Sequence, residues 1–305
     1  MALPFVQGKT AIVTGSGAGI NLSFAKLLLS KGCNVVFADL ALRPEAKEVV
    51  DAHQSGSPRA VSQQTDVTEW SQLERMFEVA DKEFGSVDIV CPGAGVYEPA
   101  WSNFWVPPGT GTSKDSPTSN RYTAMDINVT HPIRTTQLAI AHFLKHKRSG
   151  SIVHIASIAA QLPTILVPLY VASKFAISGF VRSLKQLETS IDPTVPSIRV
   201  TAVAPGVVKT PLWLDNPDKL KWVDESKDEW VTPEEVAERM LDLITREDYV
   251  GGTVLEVGKN QARTVEVLHD PGPSGPGMTV SNREDARAEV WDKLAVEGWG
   301  QASKD

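Results

Sequence analysis

Ala11-Ile12-Val13-Thr14-Gly15-Ser16-Gly17-Ala18-Gly19-Ile20-Asn21 runs from a short β-branched stretch straight into a glycine cluster. From Ile20 onward the apolar residues Phe24, Leu27 and Leu28 fall at helical spacing, so the segment reads as strand, tight turn and helix. Lys31 and Gly32 end that helix, and Val35, Val36 and Phe37 form a second buried strand that closes on Asp39. A βαβ unit is therefore written into the amino-terminal part of the chain.

The same alternation continues outward. Thr68 is expected to cap a helix whose Trp70, Leu73, Phe77, Ala80 and Phe84 make one apolar stripe; Gly85 ends it, and Val87 to Val90 is the next strand. Helix is expected over 123–147, strand over 151–156, helix over 170–191 and strand over 198–204. Thr232-Pro233-Glu234-Glu235 has the form of a capping box with proline at the first helical position, and 252–257 completes the strands. Strands that alternate with helices imply a parallel sheet covered on both faces. The expected fold is thus α/β: a doubly wound, predominantly parallel sheet of about seven strands, in one domain over 1–260. A partly irregular extension over 261–305 carries Pro271, Pro273 and Pro276 and a short helical stretch at 282–295. Two loops, 97–120 and 205–227, are too long for plain connections. Both contain large apolar groups, Trp101, Phe104 and Trp105 in the first and Leu212, Trp213, Leu214 and Trp222 in the second, which suit a lid over a bulky apolar substrate.

Composition narrows the class of partner. With 305 residues, 42% hydrophobic and 22% charged, the chain can bury a sizeable core. A net charge of −7 argues against nucleic acid or an anionic membrane as the partner, because both call for a cationic surface. No apolar run approaches the roughly 18 residues of a membrane span, and the first ten residues lack a signal-peptide core. A small molecule in a cytoplasmic setting is the expectation. Cys33 and Cys91 read as core thiols, neither disulfide nor ligand. His142 and His146 share a helix face without an evident third ligand and sit among Lys145, Lys147 and Arg148, so no metal is expected.

A glycine turn between strand and helix is where a dinucleotide pyrophosphate can rest on backbone N–H groups, with Gly15, Gly17, Gly19 and Ile20 forming the cradle. Asp39, at the end of the second strand, can accept both ribose hydroxyls of an adenosine and repels a 2′-phosphate. NAD is the expected cofactor, and NADP is the alternative that the nearby Arg43 leaves open. Tyr170 and Lys174 lie four residues apart on one helix face. A lysine ammonium beside a phenol favours phenolate, which makes Tyr170 a candidate general acid and base.

Together these residues resemble the short-chain dehydrogenase/reductase family, over about Gly8 to Gly258. Ser157 precedes Tyr170 by the family's spacing and Asn128 matches its helix asparagine, so the resemblance implies an Asn128, Ser157, Tyr170, Lys174 tetrad. It also implies that Pro205, Val208 and Thr210 touch the nicotinamide, that Asp66 and Val67 contact adenine, and that Gly95 lines the same site. Tyr170 would exchange a proton with the substrate oxygen, Ser157 would orient that oxygen, Lys174 would hold the nicotinamide ribose, and Asn128 would position a water. A Rossmann-like fold, a homodimer or homotetramer, and an NAD(P)-dependent interconversion of a secondary alcohol and a ketone are what the resemblance implies. Two positions depart from the family pattern. Asn21 replaces the last glycine of TGxxxGxG, and Pro92-Gly93 replaces the asparagines of NNAG. They point to a second reading, a cyclase, isomerase or epimerase using the same pocket without net redox turnover. A non-catalytic nucleotide sensor is a third reading, disfavoured by the complete tetrad.

Overall fold

The computed structural model describes residues 6–267 apart from 221 and 225, together with 291, 292, 295 and 297. The helix expected at 282–295 falls largely outside the described residues.

Strand β1 (Thr10–Thr14) is buried along its whole length, as a central parallel strand must be. The glycine turn leads into α1 (Gly19–Ser30), and the chain returns as β2 (Asn34–Asp39), parallel to β1 with Val13 opposite Phe37. Then come α2 (Pro44–Ala52), β3 (Ala60–Gln64), α3 (Trp70–Phe84) and β4 (Ile89–Cys91). A helical stretch follows: α4 (Thr123–Met125), a π-turn over Asp126–Thr130, and α5 (His131–His146). The remaining elements are β5 (Gly150–Ile155), α6 (Pro168–Ser183), β6 (Ile198–Pro205), α7 (Pro211–Leu214), α8 (Pro217–Leu220), α9 (Pro233–Thr245), β7 (Val254–Gly258) and β8 (Gln261–Thr264). None of the described helices is long and apolar enough to cross a membrane.

The eight strands lie in the order β3-β2-β1-β4-β5-β6-β7-β8, with only β7 and β8 antiparallel. Side-chain alternation sorts the core into two layers. Val13, Val35 and Phe37 face α1 and α9, where Phe24, Leu28, Met240 and Leu243 are buried. Ile12, Val36 and Ala38 face α3, α5 and α6, where Leu73, Phe77, Phe143, Ile177 and Val181 are buried. Chain order reverses between β1 and β4, so the loops leaving those strands diverge and open a crevice at their carboxyl ends, the usual ligand position in a doubly wound sheet.

Eight strands occur among the described residues, against about seven expected. The sheet also passes residue 260, because β8 adds an edge strand to β7 just where the extension was expected to begin. The helix expected over 170–191 gives way after Ser183, with a short 3-10 turn at Lys185–Leu187. Thr68 is not a cap: its hydroxyl donates to Asp66 Oδ1 at 2.7 Å, and Glu69 flanks α3 instead. The capping box is present, Glu235 N–H donating to Thr232 Oγ1 at 3.2 Å and Thr232 N–H to Glu235 Oε2 at 2.8 Å. Both cysteines are buried and their thiols are pushed well above the ordinary range by that burial. Asp81 of α3 brings a carboxylate oxygen to 3.7 Å from His142 Nε2 and 3.8 Å from His146 Nε2, a third polar group that spacing alone did not reveal. His142 Nε2 is already engaged, accepting from Val87 N–H at 3.0 Å.

Candidate active site

The crevice holds a cavity of about 530 Å³ whose walls include the glycine turn, the ends of β2, β4, β5 and β6, and the first turns of α6 and α7. At its floor, Gly15 takes a left-handed φ of +71°, and an added Cβ would stand 2.7 Å from Ala94 Cα. Only glycine fits there. Gly17 N–H donates to Asp39 Oδ2 at 2.7 Å, and Ala41 N–H to Asp39 Oδ1 at 3.3 Å. Asp39 therefore fixes the shape of the glycine turn while presenting its carboxylate at the cleft. Gly19 starts α1 with φ of +60° against Thr210, so the helix amino terminus and the β6 loop meet across the cradle. Backbone approach, a helix amino terminus and an acid at the end of β2 on one wall fit a dinucleotide.

Ile20, Asp66, Val67 and Gly95 line the same cavity, as do Pro205, Val208 and Thr210. Asp66 is held by Thr68, whose N–H and hydroxyl both donate to its Oδ1. Gly17 is bonded to the lining residue Asp39, and Asn128 to the lining residue Val96. Arg43, which the sequence placed near the ribose end, instead pairs with Asp215 across the mouth of the cleft.

At the other end Ser157, Tyr170 and Lys174 come together. Ser157 flanks a 3-10 turn after β5, its Oγ accepting from Ala159 N–H at 3.1 Å, and it stands close enough to the Tyr170 phenol to act on its acidity. Lys174, one turn along α6, is buried; its Nζ donates to the Ile155 carbonyl at 2.8 Å and lies 5.4 Å from the Tyr170 ring centre. Asn128 sits in the π-turn, where its carboxamide brackets Val96: Nδ2 donates to Val96 O at 2.9 Å and Oδ1 accepts from Val96 N–H at 2.9 Å. A Cβ on Gly95 would stand 3.3 Å from Asn128 Oδ1 and 3.9 Å from Lys174 Nζ, so all three residues crowd one corner.

The electrostatics correct one expectation. Burial pushes the Tyr170 phenol up to about 12, with Ser157 acting to lower it and Tyr97 to raise it. Burial also brings Lys174 down to about 8. Desolvation of both groups outweighs any pull of the ammonium on the phenol, and that ammonium is committed to a backbone carbonyl. The Tyr170 phenol thus carries its proton through the neutral range.

Several groups at the site escape the sequence reading. The Tyr97 ring meets Tyr170 edge-on with centres 4.6 Å apart, and Trp213 at 5.0 Å. Glu98, fully buried, accepts the Tyr170 N–H on Oε2 at 2.9 Å. Asp115, also buried, ties the 97–120 loop together by accepting from Ser102 Oγ at 2.7 Å and Thr123 N–H at 2.9 Å. Of the aromatic residues expected to form a lid, Trp101 and Trp213 line the cavity. Phe104 and Trp105 are exposed, with Trp105 Nε1 donating to the Ile165 carbonyl.

Comparison with known proteins agrees with this geometry. Residues 9–221 match the family model described as short chain dehydrogenase. A galactitol 2-dehydrogenase of Agrobacterium fabrum is 30% identical over 208 residues, covering 68% of this chain and 73% of that protein. A hydroxynaphthalene reductase-like protein of Metarhizium guizhouense is 32% identical over 212 residues, covering 68% and 71%. Among solved structures, a 3-ketoacyl-(acyl-carrier-protein) reductase from Brucella melitensis complexed with NADH superposes with a TM-score of 0.66 at 23% identity, covering 83% of this chain and 97% of that one. The fold, the glycine cradle and the matched sequence agree: this chain belongs to the short-chain dehydrogenase family of NAD(P)-dependent oxidoreductases.

Proposed function

We propose that the chain interconverts a secondary alcohol and a ketone on a bulky apolar, aromatic-compatible substrate, with NAD(H) as the preferred cofactor and Asn128, Ser157, Tyr170 and Lys174 as the working set. The observation that carries the reading is that Ser157, Tyr170 and Lys174, the last one helical turn on from the tyrosine, line one end of a cleft whose other end is Asp39. A nicotinamide dinucleotide in this cleft supplies or accepts the hydride. The chain's own residues do the rest. The protonated Tyr170 hydroxyl donates to the carbonyl oxygen as it gains charge, Ser157 holds the same oxygen in line, and Lys174 sits where it can hold a ribose hydroxyl. Asn128 keeps the β4 loop in register through Val96. Tyr97, Trp101 and Trp213 give the substrate end aromatic walls, which favour a flat apolar molecule.

NADH is favoured over NADPH on two grounds. The Asp39 carboxylate would stand against a 2′-phosphate, and Arg43, which could neutralise one, is drawn to Asp215. Titration with each nucleotide by fluorescence, followed by absorbance at ~340 nm with apolar aromatic ketones, tests the whole reading. Tight NADH binding with ketone-dependent oxidation is expected; tight binding with no turnover across the panel overturns the redox assignment. Asp39→Asn keeps an acceptor for Gly17 but removes the charge. It should weaken NADH several-fold and shift the NADPH-to-NADH ratio of dissociation constants by at least about tenfold, roughly the 1.4 kcal/mol of one charge-assisted contact. An unchanged ratio removes Asp39 as selector.

A further inference from the structure

Glu98 stands out on three independent counts. It is a non-glycine residue with φ of +42°, a conformation that costs energy unless its surroundings enforce it. Its side chain is fully buried, although carboxylates are rarely found so deep. Both carboxylate oxygens are spent on backbone: Oε1 accepts from Phe104 N–H at 3.0 Å and Oε2 from Tyr170 N–H at 2.9 Å.

The last contact reaches the amino-terminal turn of α6, a helix that its own flanking residue Val167 leaves without a side-chain cap. A carboxylate at that end meets unsatisfied N–H groups and the positive end of the helix dipole. The acid that caps the tyrosine-bearing helix thus comes from the loop after β4, 72 positions away. The Glu98 main-chain carbonyl adds a contact within its own loop and one to α8. It accepts from Asn103 Nδ2 at 3.1 Å and from Lys219 Nζ, on α8, at 2.9 Å. The Lys219 ammonium lies 4.3 Å from the centre of the Tyr97 ring, which itself abuts Tyr170. One strained, buried residue therefore joins the loop after β4, helix α8 and the backbone of Tyr170.

We propose that Glu98 is a positioning residue for proton transfer: it fixes the Tyr170 backbone, and hence the phenol, relative to the cofactor cleft. The role in turnover rests on the reading of Tyr170 as proton donor. A small displacement of a donor weakens the transition state more than the bound ground state, so the effect falls on kcat.

The test uses the full chain with Glu98→Gln and Glu98→Ala, and reads three quantities: NADH dissociation constant, steady-state kinetics with a ketone substrate, and residue-resolved amide hydrogen exchange. Glutamine keeps one carbonyl acceptor but turns an amide donor towards one of the two N–H groups. It should lower kcat about tenfold with KM and NADH affinity within about twofold, and alanine should lower kcat further, so that the conservative variant partly rescues. The Tyr170 and Phe104 amides should exchange faster in both variants than in the parent chain. Unchanged kcat with unchanged exchange overturns the proposal, as does a fall in kcat matched by an equal loss of NADH affinity, which would mark a general scaffold role. If the parent chain reduces no ketone, it is the reading of Tyr170 that fails. The exchange data still decide the placement of Glu98, since protected amides in Glu98→Ala would overturn it on their own.

Discussion

Tyr170→Phe is expected to lower ketone reduction by about three orders of magnitude while NADH binds with near-parental affinity. The arithmetic follows from the site. General acid catalysis by one placed group is worth on the order of 10²–10⁴ in rate, or roughly 3–5 kcal/mol, and no neighbour can substitute for the phenol. Ser157 is a far weaker acid, and the Lys174 ammonium is directed at the Ile155 carbonyl. Phenylalanine keeps the ring contacts with Tyr97, so the cleft retains its shape and the loss isolates proton transfer. The pH profile gives a second check. With the phenol at about 12 it stays protonated through the neutral range, so reduction should not be limited by loss of that proton below pH 9. Lys174, brought down to about 8, loses its charge as pH rises through that value, so the alkaline limb near pH 8 belongs to the lysine. The limb reports weakened ribose binding and should appear in KM for NADH more than in kcat. Stopped-flow reduction at saturating NADH separates the two. Full turnover in Tyr170→Phe would remove the acid/base assignment altogether.

How much of this was legible beforehand depends on whether a residue's job is set by neighbours in sequence or in space. The glycine turn, Asp39, and the Tyr170 and Lys174 pair sit on regular elements, where spacing fixes which side chains share a face. The structure brings all of them to one cleft. The elements that sequence missed are those that bury little. β3 is an edge strand whose residues alternate between buried, half-buried and exposed, and β8 is exposed throughout, so neither carries the apolar run that marks a central strand. α2 was passed over although Pro44 at its first turn and Glu45 beside it are start signals. Glu98 had no such signal. An acid in a Pro- and Gly-rich loop reads as solvated, and its burial follows from contacts with Phe104, Tyr170 and Lys219 that only the folded chain makes. The direction of the Tyr170 shift was misjudged for a related reason. Spacing shows that a lysine is near a phenol, but not that burial dominates both groups.

Asn21 and Gly93 looked like two separate departures from the family pattern, each weakening the site; in the fold they are one arrangement. A Cβ on Gly93 would stand 2.2 Å from Asn21 Oδ1 and 2.7 Å from Asn21 Cγ, so the Asn21 carboxamide occupies the space a side chain at 93 would need. Asn21 is buried and cannot retreat: its Nδ2 lies only 2.9 Å from where a Gly15 Cβ would be, and Cys91 Sγ is 3.8 Å from its Oδ1. Where the family carries glycine on the helix and asparagine after the fourth strand, this chain carries the reverse, and one polar side chain fills the gap from the other side. Gly93→Ala alone should therefore overpack the junction of α1 and β4 and cost about 1–3 kcal/mol, a fall of several degrees in thermal midpoint. Asn21→Gly alone opens a gap and puts glycine early in a helix, about 1 kcal/mol. In the double variant the new methyl enters the space the carboxamide has left, so the costs should not add: a coupling of at least about 1 kcal/mol in the double-mutant cycle is expected from urea or thermal unfolding. NADH affinity should follow the same pattern, impaired by Gly93→Ala and restored in the pair, because the glycine cradle and the β4 loop share this junction. Additivity within about 0.5 kcal/mol would mean that the two positions are independent. Their coupling, by contrast, would show that the altered glycine motif is a repacked cofactor site rather than a damaged one.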